Sequence, residues 1–180
     1  MKTLLSYSVV VAAVTIGCLL GCSSSKSPDV AGPIRQSLNQ AGLGDVSVSQ
    51  DRDKGVITLG GHVPDDSAKA QAETIARSNA AGQVVANEIS VTPAGNERDA
   101  KAVNSDLDDA IKKNLDAALI QNNLHKSVNY DVKNGVVTLS GDVRSEARRS
   151  SAAAIASGVP NVQQVVNELQ VKDQKATSTN

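Results

Sequence analysis

The strongest constraint on this chain is that one unit is written in it twice. Residues 54–91 recur as residues 134–171 without a gap, and 14 of those 38 positions are identical. Lys54-Gly55-Val56-Ile57-Thr58-Leu59-Gly60-Gly61-His62-Val63 matches Asn134-Gly135-Val136-Val137-Thr138-Leu139-Ser140-Gly141-Asp142-Val143, and Gln83-Val84-Val85-Ala86-Asn87-Glu88-Ile89-Ser90-Val91 matches Gln163 through Val171. A register shared by two such blocks marks a duplication. Upstream, Ile34-Arg35-Gln36-Ser37-Leu38 aligns with Ile111-Lys112-Lys113-Asn114-Leu115 at an offset of 77, which implies three extra residues between helix and strand in the second copy.

Each copy reads as α-β-β-α-β. Ile34, Leu38 and Ala41 recur at helical spacing, as do Leu107, Ile111, Leu115 and Ala118. Val46-Ser47-Val48 and Val128-Asn129-Tyr130 alternate as strands, followed by turn residues Asp53-Lys54-Gly55 and Lys133-Asn134-Gly135. Ile57, Leu59, Gly61, Val63 and their counterparts Val137, Leu139, Gly141, Val143 form the second strand. The mid-strand glycines are expected to make room for a packed helix. Asp65 or Ser145 caps the next helix, which buries Ala68, Ala72, Ile75, Ala76 and Asn79, or Ala152, Ile155, Ala156 and Val159. A last strand turns Val85, Ile89 and Val91, or Val165, Leu169 and Val171, to the core. The fold class is therefore α+β, two tandem modules over 34–92 and 107–172, each a three-stranded sheet with two helices on one face. Units this small bury only about 60% of their unfolded surface, so a shared interface between them is expected. Residues 93–106 are either a linker or a lead-in to a longer helix, and 173–180 form a polar, disordered tail.

The N-terminus reads as an address. Met1-Lys2 precedes an apolar run from Leu4 to Leu20, and Gly21-Cys22 is followed by Ser23-Ser24-Ser25. The run could also span a bilayer as a retained helix, or serve simple secretion. Its end resembles the bacterial lipobox, which implies a signal peptide over 1–21 and acylation of Cys22. Cys18 is the competing site, and Leu20 departs from the usual small residue. Ser23 after the cysteine resembles the pattern for outer-membrane delivery. With Cys22 lipidated and Cys18 removed, no thiol remains for a disulfide. Residues 22–33, rich in Ser, Pro and Gly, read as a flexible tether.

The repeated Gly-Val-(Ile/Val)-Thr-Leu-x-Gly-x-Val, a small-residue helix, and Val-x-Asn-Glu-(Ile/Leu)-x-Val together resemble the BON domain. A lipobox before two such units is similar to the dual-BON outer-membrane lipoproteins and to the osmotically inducible periplasmic proteins. The resemblance implies a lipid-anchored periplasmic protein, non-enzymatic, that binds phospholipid and supports envelope integrity under osmotic or envelope stress. The rival reading is an adaptor that binds another envelope protein and touches the membrane only through its anchor.

Composition excludes several other classes. With 18 Lys+Arg against 19 Asp+Glu, and aromatics at 1%, neither phosphate-backbone binding nor base stacking is supported, so no nucleic-acid partner is expected. Two histidines and two cysteines leave a His/Cys metal site almost unbuildable, and no cofactor or small-molecule substrate is expected, since no nucleotide fingerprint is present. Asn87-Glu88 and Asn167-Glu168 repeat, but no base or second carboxylate repeats beside them. The asparagines are expected to meet backbone groups while the glutamates face water, leaving no catalytic residue. His62 and His125 are expected on the surface. Charge is more informative: residues 34–92 carry a net −2 and residues 107–172 a net +1. Arg144, Arg148 and Arg149, with Lys112 and Lys113, are the candidates for contact with anionic lipid headgroups.

Overall fold

The computed structural model describes residues 26–172. The signal-peptide and Cys22 expectations, and the tail at 173–180, lie outside the described residues. The first module runs α1 (Ala31–Gln40), β1 (Val46–Asp51), β2 (Val56–Val63), α2 (Asp66–Asn79), β3 (Val84–Asn87) and β4 (Ser90–Val91). The second runs α3 (Glu97–Gln121), β5 (Asn129–Lys133), β6 (Val136–Ser140), β7 (Asp142–Val143), α4 (Glu146–Ser157), β8 (Gln164–Asn167) and β9 (Gln170–Val171). In both, the second strand is central: β2 pairs antiparallel with β1 and parallel with β3 and β4. Likewise β6 lies between antiparallel β5 and parallel β8, and β7 pairs parallel with β9. The mixed α+β class and the duplication therefore stand.

Each module closes on its own core. Ile34, Leu38, Val46, Val48, Ile57, Leu59, Ala72, Ala76 and Ile89 form one cluster. Ile111, Leu115, Leu119, Val132, Val137, Leu139, Ala152, Ala156 and Leu169 form the other. Both helices of a module cover one sheet face. The caps are where the sequence places them: the Asp65 side chain accepts from Ala68 N at 2.8 Å and Ser145 Oγ from Arg148 N at 3.3 Å. Asn134 (φ 48°) and Gly135 (φ 77°) both take the left-handed conformation of a two-residue hairpin. Asp108 of α3 accepts from both of their backbone N–H groups, at 2.7 and 2.9 Å.

Several expectations change. The first helices correspond at an offset of 81, not 77: Leu43 N bonds Leu38 O as Leu124 N bonds Leu119 O, each at 2.9 Å. The 77 alignment slipped by one helical turn, because apolar residues recur every turn and a four-residue shift leaves the pattern intact. Consequently Leu119, not Ala118, ends the buried stripe of α3, and Leu107 is exposed. The first hairpin (Asp51 paired with Val56) has four loop residues where the second (Lys133 with Val136) has two. Val171 is exposed rather than in the core, and Asn79 is only half-buried.

Gly61 and Gly141 do not make room for a helix. Both have left-handed φ, +93° and +118°; a Cβ on Gly61 would collide with the Asp45 carbonyl oxygen, and one on Gly141 would lie 2.7 Å from that of Ser127. They are bulge-like positions where the backbone leading into the neighbouring strand comes close. Of the two readings of residues 93–106, the lead-in to a longer helix holds for 97–106, which are the first turns of α3. Where composition suggested an open tether, residues 26–33 are held. Ser27 and Arg52 exchange two hydrogen bonds, both 2.8 Å, the Gln50 side chain binds Pro28 O and Val30 N, and α1 starts at Ala31.

The glutamates also depart from expectation. Asn87 and Asn167 do meet backbone groups, of the helix beside the break in the last strand: Asn87 Nδ2 donates to Lys69 O at 3.4 Å, besides Glu73 Oε2 at 3.0 Å, and Asn167 Nδ2 donates to Arg149 O at 3.2 Å. Glu88 and Glu168, however, do not face water. Their side chains are only 15% and 11% exposed, and each reaches into the other module: Glu88 to Lys133 at 3.0 Å, Glu168 to Lys54 at 2.6 Å. Between these two bridges Val56, Ala86, Val136 and Val166 bury one another. The helix-free sheet faces thus meet near their hairpin ends, and the expected shared interface is this joint.

Candidate basic cleft of the second module

A concavity of about 620 Å³ with clustered charge lies at the end of the second module away from the joint. The break at Gly141 shapes it, because the missing Cβ lets the Ser127 backbone come close and form one wall. Asn123 and Lys126 enter from the turn after α3, with Asn123 left-handed (φ 55°). Asp142 comes from β7, Arg144 from the residue before the Ser145 cap, Arg148 from the first turn of α4, and Lys172 from just beyond β9. Lys172 is held there because its N–H bonds Val143 O at 2.9 Å.

Four cations therefore line the cleft against one carboxylate, Asp142, which sits 3.3 Å from Lys172 Nζ. The N-terminus of α4, the positive end of its dipole, opens at the same place. The arrangement suits a negatively charged group. Among the described residues, no cluster of His, Cys, Asp or Glu could hold a metal ion. Among the same residues, no helix is long and apolar enough to cross a membrane.

The first module lacks this chemistry. The positions equivalent to Lys126, Arg144, Arg148 and Lys172 are Gly44, Pro64, Ala68 and Thr92. Of the five residues singled out from sequence, the structure brings Arg144 and Arg148 together in the cleft. Arg149 is half-buried, with Nη1 3.5 Å from Glu146 and its carbonyl taken by Asn167. Lys112 sits 3.9 Å from Asp109 on α3, and Lys113 is exposed; neither lines the cleft. Lys126 and Lys172 were missed. Each stands alone in sequence, and only the fold over Gly141 collects them. Tyr130 is half-buried against the second core with its hydroxyl 3.5 Å from Lys112 O. Burial first, and the Asp116 carboxylate second, hold its pKa above the usual tyrosine value. His62 and His125 are both exposed.

A duplicated α-β-β-α-β module, joined through its sheet faces and with a basic cleft in its second copy, defines a tandem-module α+β protein. Both halves match the family model of the BON domain, over residues 28–93 and 105–173, and the chain belongs to that family. Osmotically-inducible protein Y of Escherichia coli (strain K12) is 35% identical over 124 residues, which is 68% of this chain and 57% of that protein. The chain thus spans little more than half the length of that relative. Two solved structures of CdsD, a structural protein of the type III secretion system of Chlamydia trachomatis, overlap 80% and 77% of this chain. They cover 66% and 90% of those chains, at 13% and 12% identity with TM-scores of 0.32 and 0.36. Overlaps that loose do not bear on function.

Proposed function

We propose that this chain is a non-enzymatic periplasmic protein of the osmotic or envelope stress response, anchored at the outer membrane through Cys22. Its second module lays a basic cleft on anionic phospholipid. The similarity to an osmotically inducible protein supports the setting, and the cleft's charge supports the ligand. Four cations less one carboxylate leave three net charges. At about 1 kcal/mol per basic residue near an anionic surface, they are worth about 3 kcal/mol. That is roughly a hundredfold in partitioning. Tethering raises the effective concentration further. With Tyr130 packed on the second core, the contact is electrostatic and superficial rather than inserted.

A second reading, an adaptor for another envelope protein, is favoured by Val103 and Leu107, one turn apart on α3 and both exposed. Vesicle co-sedimentation of residues 26–180 separates the two. The lipid reading expects binding to anionic but not neutral vesicles, screened by salt and lost in K126A/R144A/R148A/K172A. Binding that survives the fourfold variant, or no binding at low salt, sinks it in favour of the adaptor.

A further inference from the structure

The joint between the modules is reciprocal. Glu88 of the first module holds Lys133 of the second, and Glu168 of the second holds Lys54 of the first. The buried quartet is likewise two equivalent pairs, Val56 with Ala86 facing Val136 with Val166. Neither module borrows from the other to close its main core. One short segment, Thr92–Asn96, carries the chain from one side of the joint to the other. Its residues 93–96 are exposed, with Pro93 and a left-handed Gly95 (φ +88°). Opening that hinge and closing on another copy re-forms every contact of the joint and alters only the hinge, which makes exchange between identical chains inexpensive.

The geometry points to a second copy of this chain as a partner for the joint. The first module of one chain seats on the second module of the other, and reciprocally, so that two joints close a two-chain assembly. Such an assembly carries two basic cleft surfaces on one body. The inference stands on the joint alone and does not depend on what the cleft binds.

Charge reversal tests it. One variant of residues 26–180 carries Lys54→Glu with Glu88→Lys, reversing the first module's half of the joint. The other carries Lys133→Glu with Glu168→Lys, reversing the second module's half. Alone, each variant faces like charges at both bridges, within a chain and between its own copies. Mixed, the reversed halves match each other and the unaltered halves match each other. Light scattering of the mixture is expected to report twice the single-chain mass. A mixture that stays at single-chain mass while both variants keep their helical circular dichroism overturns the proposal. Should either variant lose that signal, a concentration series on the unaltered chain decides. Mass rising toward the double value supports exchange, and constant mass refutes it.

Discussion

Gln164 of the second module donates from Nε2 to the carbonyl of Val85 in the first, at 2.6 Å, so a side chain completes the edge of a sheet to which it does not belong. Its Oε1 accepts from Asn87 N at 3.0 Å, so one amide satisfies both a carbonyl and an N–H of β3. The equivalent residue of the first module is Val84, 48% exposed. Gln164→Ala leaves two strand-edge groups unpaired and is expected to cost about 1–3 kcal/mol. Val84→Ala is expected to stay within about 0.5 kcal/mol. Urea unfolding of the two variants checks this, and equal losses would contradict the bridging role.

Gly61→Ala and Gly141→Ala each force a side chain into left-handed φ and against a neighbouring carbonyl. Strain of that kind costs about 1–3 kcal/mol before the clash is counted. Gly32, inside α1 with nothing within 4 Å of an added Cβ, is the control. Gly32→Ala is expected to stabilise by about 0.5–1 kcal/mol. Thermal melts should place the three midpoints on opposite sides of the unaltered chain.

Two lysines make stability depend on pH in opposite senses. The hydrogen bond to Glu168, the opposing burial, and the charges of Glu168 and Asp51 leave the pKa of Lys54 above its ordinary value of 10.5. Its contribution is present below the unfolded value and is lost as pH climbs through the raised one. Burial depresses the pKa of Lys69 below the same ordinary value, so folding gains as pH climbs through that window. Lys54 is partly exposed, so its share is small. From about pH 9 to about pH 11, spanning the ordinary lysine pKa, the urea midpoint of Lys54→Met is expected to rise relative to that of Lys69→Met. Parallel curves would remove both assignments.

Asp142 is the carboxylate inside the cleft, paired with Lys172. On the lipid reading, Asp142→Asn adds one net positive charge at the surface, worth about 1 kcal/mol or about fivefold in affinity for anionic vesicles. A titration showing unchanged or weaker binding would place the contact surface elsewhere.

The architecture was readable because burial imposes period: Ile57, Leu59 and Val63 repeat at Val137, Leu139 and Val143, and all six are buried. The helices were misaligned for the same reason, since a stripe shifted by one turn buries equally well. Glu88 and Glu168 looked like solvent-facing residues because their partners, Lys133 and Lys54, lie on the opposite module, a distance no local pattern encodes. Arg144 and Arg148 were legible as a cluster in sequence. Lys126 and Lys172 became neighbours of that pair only through the fold over Gly141.

The strap of residues 27–30 has a mechanical consequence. Ser27, Pro28 and Val30 are fastened to Arg52 and Gln50 at the end of β1, ahead of the helix that fills the core. Tension entering at Lys26 therefore loads those few bonds first, and α1 feels it only after they part. Peeling four residues pays out roughly 14 Å of slack. Within that travel the first module can be tugged without its core being disturbed.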